Sequence, residues 1–297
     1  MNKISIFLLA LFCMAGLFSI CENPPSGPWI WNADDSVAIA GLLDEEAEFL
    51  CPGDLLGSQA VTFDITTEMA DNLIEDTSSV RYFVSEISFE VTDTVSEYNY
   101  TLGVDTTVTV DVADTLKGKV YLQVDSLLSK GSTEFSVTDT TLEKTLRFAS
   151  WNGVFADSTD ASWYLAKFSG ALEGTAPSVA MAPRIDSVSL RYPGGSKRVL
   201  PSASPGEYAV DGLYEVDDLI GVNPGEQITV DEIFSDDNLI FFISKGSEWI
   251  PYTPGTGLTF STTGKSRIYV IGMSVDAVAY SSTEWDCIVW GIPVIVE

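Results

Sequence analysis

The stretch FSTTGKSRIYVIGMSVD, residues 260–276, decides the fold. A polar turn with Gly264 feeds the run Ile268-Tyr269-Val270-Ile271, whose β-branched and aromatic side chains suit a strand. Outward from it the same grammar repeats. Ile185 to Tyr192 alternates apolar and polar residues. Glu226 to Val230, Leu239 to Ile243, Leu258 to Ser261 and Cys287 to Val296 are further short runs of this kind. NPGE, SDDN, SKGS, TPGTG and TTGKS separate them, all turn-forming combinations. Short strands with turns at this spacing predict a β-sandwich over residues 184–297.

Upstream, the chain predicts a β-rich α+β domain over residues 29–178. Asp34 and Asp35 precede VAIAGLLDEEAEFL, residues 37–50, where apolar residues recur at helical spacing. Acids ahead of such a run suit the positive end of a helix. EMADNLIE, residues 68–75, predicts a second short helix. Beyond Val80 the period changes to two. VRYFVSEISFEV (80–91), TTVTVDVAD (106–114), KGKVYLQVD (117–125), TLRFASWNGVFA (145–156) and SWYLAKFSG (162–170) follow as strands. Alternation of this strictness means one buried face and one wet face, as in a curved antiparallel sheet. The boundary between the two regions is expected near APSVAMAPR, residues 176–184, with its two prolines and small residues. The fold class is therefore mainly β with some α.

Two resemblances sharpen these expectations. NPGEQITV followed by FSTTGKSRIYVIGMSVD resembles bacterial Ig-like and PKD-type domains. There a proline-glycine turn opens an early strand, and a late Gly-x-Tyr-x-Val strand runs into an aspartate turn. Gly264, Tyr269, Val270 and Asp276 fill similar places here. The resemblance implies a spacer or adhesion module. In the first region the leading helices, long sheet and late tryptophan strand resemble the NTF2-like (cystatin-like cone) architecture. That likeness implies a strand carrying Trp163, Leu165 and Phe168, paired with Leu146 to Phe155. Another β-rich sandwich or barrel is the competing architecture.

The start of the chain speaks about address. Lys3 is followed by an apolar run from Ile4 to Ile20, then Cys21, Glu22, Asn23 and two prolines. A charged n-region, an apolar h-region and an abrupt polar stop are the layout of a secretory signal over residues 1–21. A stable span asks for roughly 20 apolar residues with anchoring flanks, which makes an uncleaved anchor the lesser reading. Leu17-Phe18-Ser19-Ile20-Cys21 resembles a bacterial lipoprotein signal, in which the cysteine becomes the lipidated first residue. This implies a membrane partner through an N-terminal lipid. Glu22 is not the aspartate of inner-membrane retention, so the outer membrane or cell surface is the expected address. The rival is ordinary cleavage after Ser19 or Gly16, giving a periplasmic or secreted protein. Residues 22–28, ENPPSGP, form an extended tether.

Cysteine arithmetic follows from that reading. Cys13 lies in the h-region and Cys21 would carry lipid, leaving Cys51 and Cys287. In an oxidising compartment an even number invites pairing. A disulfide closing so long a loop contributes about 4–5 kcal/mol by chain entropy. Two buried thiols are the alternative.

Composition excludes several function classes. The net charge is −28, with 43 acidic residues against 15 basic ones. Nucleic-acid affinity comes largely from Lys and Arg on phosphates, so no nucleic-acid partner is expected. With 45% hydrophobic residues the chain can still bury real cores. There is no histidine. Ser-His-Asp and Cys-His catalysis and every His-ligated metal are thereby ruled out.

Three candidate chemistries remain. Trp29 and Trp31, beside the tether, could stack on a glycan, though large aromatics more often fill cores or edges. The acidic loops Asp157-Ser158-Thr159-Asp160 and Ser235-Asp236-Asp237-Asn238 could offer oxygens to calcium, yet neither has the spacing of a dedicated loop. No cofactor is expected. Glu86, Glu90, Asp111 and Asp125 lie on predicted strands, where two could form a hydrolase pair. A solvated face explains them more simply. The expectation is a non-catalytic envelope protein with a structural or binding role. A carbohydrate-binding surface protein and a carboxylate-based hydrolase are its alternatives.

Overall fold

A computed structural model describes residues 33–45, 61–62, 81–103, 107–127, 137–157, 163–174, 183–202, 207–235, 237, 239–245, 249–274 and 287–297. The leader, the tether, EMADNLIE and most of the expected boundary, residues 176–182, lie outside this set. The described chain is mostly β, with antiparallel sheets and one α-helix.

Helix α1 (Ala33–Glu45) carries Asp34 and Asp35 in its first turn. It buries Ser36 and Ile39, and Leu42 and Leu43 pack against the same core. Among the described residues six strands belong to the first half: β1 (Val61–Thr62), β2 (Arg81–Leu102), β3 (Thr107–Leu127), β4 (Val137–Asp157), β5 (Trp163–Phe168) and β6 (Ala171–Gly174). Strands β2, β3 and β4 form an antiparallel meander of about 70 Å at about 3.4 Å per residue. The sequence runs at 106–114 and 117–125 are thus one strand. Lys117-Gly118 does not break it, because Gly118 is held in register between Val91 and Lys144.

Strands this long cannot stay flat, since each carries a right-handed twist. Register shifts fall between Val84 and Glu86, between Val91 and Asp93, and beside Leu116/Lys117. Each adds a residue to an outer strand, β2 or β4, and leaves β3 regular. Bulges of this kind bend the strand and add twist. On β3, Val108, Val110 and Val112 face a core shared with Ile39, Phe155, Leu165 and Phe168, while Asp111 is exposed. The period of two survives the bulges because they fall on the neighbours of β3.

Among the described residues ten strands form the second half. They are β7 (Ser187–Tyr192), β8 (Gly195–Leu200), β9 (Tyr208–Ala209), β10 (Ile220–Val222), β11 (Gln227–Phe234), β12 (Leu239–Ser244), β13 (Ile250–Pro251), β14 (Thr256–Thr259), β15 (Gly264–Ser274) and β16 (Cys287–Val296). One sheet runs β14-β11-β7-β8-β9. Facing it is the order β16-β15-β12-β13, with β10 parallel to β16. Val188, Leu190, Ile228, Val230 and Leu258 from the first sheet meet Ile243, Ile268, Val270, Trp290, Ile292 and Val294 from the second. This is a β-sandwich-like core. Strand β16 is buried nearly throughout, Ile295 being its one partly exposed residue, so both its faces are covered.

The two halves share a sheet. Strand β6 pairs with β4 on one side and with β16 on the other. The sheet is therefore continuous from β1 to β13 and has 11 strands. Among the described residues two hydrophobic clusters flank this seam, and Tyr214 packs against both.

Candidate functional site

Strands β5 and β6 are two parts of one path along β4, broken at Ser169-Gly170. Before the break, Phe168 exchanges backbone hydrogen bonds with Tyr214, at 3.1 and 3.0 Å. After it, β6 joins β16. The break thus switches the partner of one path from one segment of the second half to another. Glycine permits it. A Cβ on Gly170 would lie 2.6 Å from the Gly291 carbonyl oxygen and 2.7 Å from that of Val210. Backbones meet there with no room for a side chain.

Side chains complete the seam. The buried Arg267 donates from Nη2 to the Ser169 carbonyl, at 3.2 Å. Lys167 pairs with Glu215 at 3.0 Å. The Lys265 ammonium lies 5.9 Å from the Phe168 ring centroid. Leu219, from the second half, enters the first core. At the far end of β5, Trp163 Nε1 donates to Asp35 Oδ1 at 3.0 Å and ties helix α1 to the sheet.

Beside the seam, Tyr208 and Tyr214 stack with centroids 4.3 Å apart. The Tyr208 hydroxyl donates to the Pro293 carbonyl at 2.9 Å. Tyr214 donates to the Ala209 carbonyl and accepts from the Ala209 N–H. Burial, reinforced by Tyr214, pushes the Tyr208 phenol far above its ordinary range. It stays a neutral donor.

Cys21, Trp29, Trp31 and Cys51 lie outside the described residues. Cys287 opens β16, is buried, and stands opposite Met273. Asp160, Asp236 and Asn238 also lie outside. Ser235 and Asp237 have a structural task. Asp237 Oδ2 accepts from the Arg184 N–H at 2.6 Å, and Ser235 Oγ donates to the Arg184 carbonyl at 2.6 Å. Together they clamp the chain as it enters β7.

The four strand carboxylates are spread along the meander. Asp111 and Asp125 stand near opposite ends of β3, about 48 Å apart along the strand. Asp111 is opposite Asn99 and Asn152. Glu90 is opposite Lys119, which in turn stands opposite Glu143. Glu86 is opposite Gln123, two positions from Asp125. Of the four, the register brings Glu86 and Asp125 alone to a diagonal, roughly 7–8 Å between Cα atoms.

Sequence reasoning passed over the seam. Its signal was present: Gly291 interrupts the apolar run CIVWGIPVIV, and an isolated glycine in a strand marks a close backbone approach. No helix among the described residues is long and apolar enough to cross a membrane. No family model matches the chain, and no curated protein or solved structure matches it.

Proposed function

We propose that this is a non-catalytic cell-envelope lipoprotein with a structural or binding role, exported and held to the bacterial outer membrane or cell surface through lipid on Cys21. The observation that carries the reading is the order at the N-terminus. Lys3, the apolar run Ile4–Ile20, Cys21 and the proline-bearing stretch 22–28 come in sequence, with helix α1 starting at Ala33. Such a tether would keep the folded part near the surface that holds the lipid.

The second half supports a structural role. The Ig-like reading is supported by the neighbour runs β14-β11-β7 and β12-β15-β16, which can be read as E-B-A and C-F-G, with β8 and β9 added beyond the A position. Strand β13 continues the second sheet as C′ does. Domains of this kind mostly act as spacers or adhesion modules. Here the body would be stiff, because the seam hydrogen-bonds the sandwich to the meander.

The test is the mass of the mature N-terminal peptide from membrane fractions, with Cys21→Ala beside wild type. A diacylglycerol-modified Cys21, and loss of Cys21→Ala from the membrane, are expected. A free terminus at Ile20 or Leu17 would replace the anchored protein by a soluble exported one.

A further inference from the structure

The β7–β8 hairpin concentrates positive charge in an acidic molecule. Residues 184–198 hold Arg184, Arg191, Lys197 and Arg198 against one acid, Asp186, in a chain of net charge −28. The register assigns faces. Val188, Leu190 and Val199 point into the sandwich core. On the outer face Ser187 stands opposite Phe234, Ser189 lies between Arg198 and Glu232, and Arg191 lies between Ser196 and Thr229.

Two residues on this face break the usual pattern. Phe234 is 44% exposed, a large aromatic ring on an open sheet face. Arg198 turns toward it, with its guanidinium carbon 5.8 Å from the ring centroid. Arg198 Nη2 also donates to the buried Ser187 Oγ at 3.1 Å. Those two contacts hold the guanidinium fork in place. The chain is rich in carboxylates, yet Arg198 makes no ion pair among the described residues. Glu232 shares the face without pairing to it, and Arg191 is already engaged by Asp231 at 2.8 Å.

A fixed, exposed guanidinium with no carboxylate partner among the described residues is preorganised to take one from outside, with two parallel N–H···O bonds. The neighbouring ring presents a flat apolar surface. We propose that this outer face binds a glycan ending in a uronic acid, with the sugar carboxylate on Arg198 and the C–H face of the pyranose against Phe234. This goes beyond the anchoring role and does not depend on it. The complementary charge favours an anion, and the molecule's own charge limits its size. Repulsion from the −28 chain is screened only beyond roughly 8 Å at physiological salt, so a single terminal carboxylate suits the site better than a polyanion. An acidic peptide is the weaker fit. Extended peptides add to a sheet edge through backbone bonds, whereas Arg198 and Phe234 sit two strands apart across a face.

The experiment titrates the full chain with methyl glucuronide, methyl glucoside and N-acetylaspartate, following the Arg198 side-chain N–H and the Phe234 ring by NMR. Methyl glucuronide should shift both, and methyl glucoside should bind about tenfold more weakly, the loss of one charge-assisted pair. Arg198→Gln and Phe234→Ala should each weaken glucuronide binding about tenfold. Arg198→Lys, which keeps the charge and loses the fork, should fall between wild type and Arg198→Gln. Arg198→Gln removes the donor to the buried Ser187 hydroxyl, so far-UV circular dichroism and Tm are measured on each variant, and each should remain folded at the titration temperature, so that a binding loss is not a folding loss. Equal binding of glucoside and glucuronide, no shift with glucuronide, or indifference to Arg198→Gln would each overturn the proposal. Tighter binding of N-acetylaspartate would also overturn it, in favour of an acidic peptide.

Discussion

Glu226 shows how much one side chain can do in a turn. Pro224 and Gly225 form the corner between β10 and β11, and Gly225 has a φ of 89°, the left-handed region that glycine tolerates. The Asn223 backbone N–H donates to Glu226 Oε2 at 2.8 Å, and Asn223 Nδ2 donates to the same oxygen at 2.9 Å. These bonds hold the Glu226 carboxyl below its ordinary value of 4.5. Folding therefore favours the ionised form. Its contribution is complete above the ordinary value and is lost as pH falls through the lowered folded one. Glu226→Gln should melt slightly below wild type at pH 7, and the gap in Tm should close as the pH drops below 4.5. Asn223→Ala keeps the backbone bond and loses the side-chain one, so it should show a smaller gap that closes over the same range. The turn itself is plain in NPGE, since proline and glycine occupy the positions a type II turn demands. The pair of hydrogen bonds accepted by one Glu226 carboxylate oxygen is not, because it depends on the side-chain rotamers that the folded turn selects.

At the scale of elements, the short strand β6 governs the most. Leu172 stands between Ser150 of β4 and Trp290 of β16. Its residue has a sheet neighbour on each side, so proline there removes a ladder donor and places a ring in the seam. Leu172→Pro should destabilise by roughly 1–3 kcal/mol, the cost of leaving a buried ladder partner unmade. Hydrogen exchange would locate the damage. Protection should fall together in residues 163–174 and 287–292, and loss confined to one side would mean that the strand is not the joint. Alternation was legible for β3, β7 and the start of β11, where apolar and polar residues follow period two, whereas β15 reads as a continuous apolar run and β5 carries a bulge at Ala166 that puts buried Leu165 and Phe168 three residues apart. Strand β8, with the polar sequence GSKRVL, carries no such signal. It is a strand because β7 offers it a partner through the Pro193-Gly194 turn. The two-residue strand β13 and the three-residue β10 are likewise too short for a period to show.

Across the whole molecule, the shared sheet should make the two halves unfold together. Ile292 is fully buried in the sandwich core, and replacing it with alanine should cost about 2–5 kcal/mol through lost burial and a cavity. In urea, Ile292→Ala should lower one common midpoint, seen alike by tryptophan fluorescence and far-UV circular dichroism. Two separated transitions, with only one of them moved, would show that the halves are energetically independent.

By itself the sequence determined the β class, the helix ahead of the sheet, the main strands of the sandwich and the wet face of the meander. These follow from local periodicity and turn chemistry, which any short window carries. It also bounded the chemistry, because a chain without histidine cannot use Ser-His-Asp or Cys-His catalysis or a His-ligated metal. Only the tertiary structure decided that β6 joins the halves, that Gly170 and Gly291 meet backbone to backbone, and that Arg198 lies over Phe234. Each of these contacts links residues far apart along the chain. Their partners are chosen by packing and hydrogen-bond satisfaction in three dimensions, and no local pattern encodes that choice.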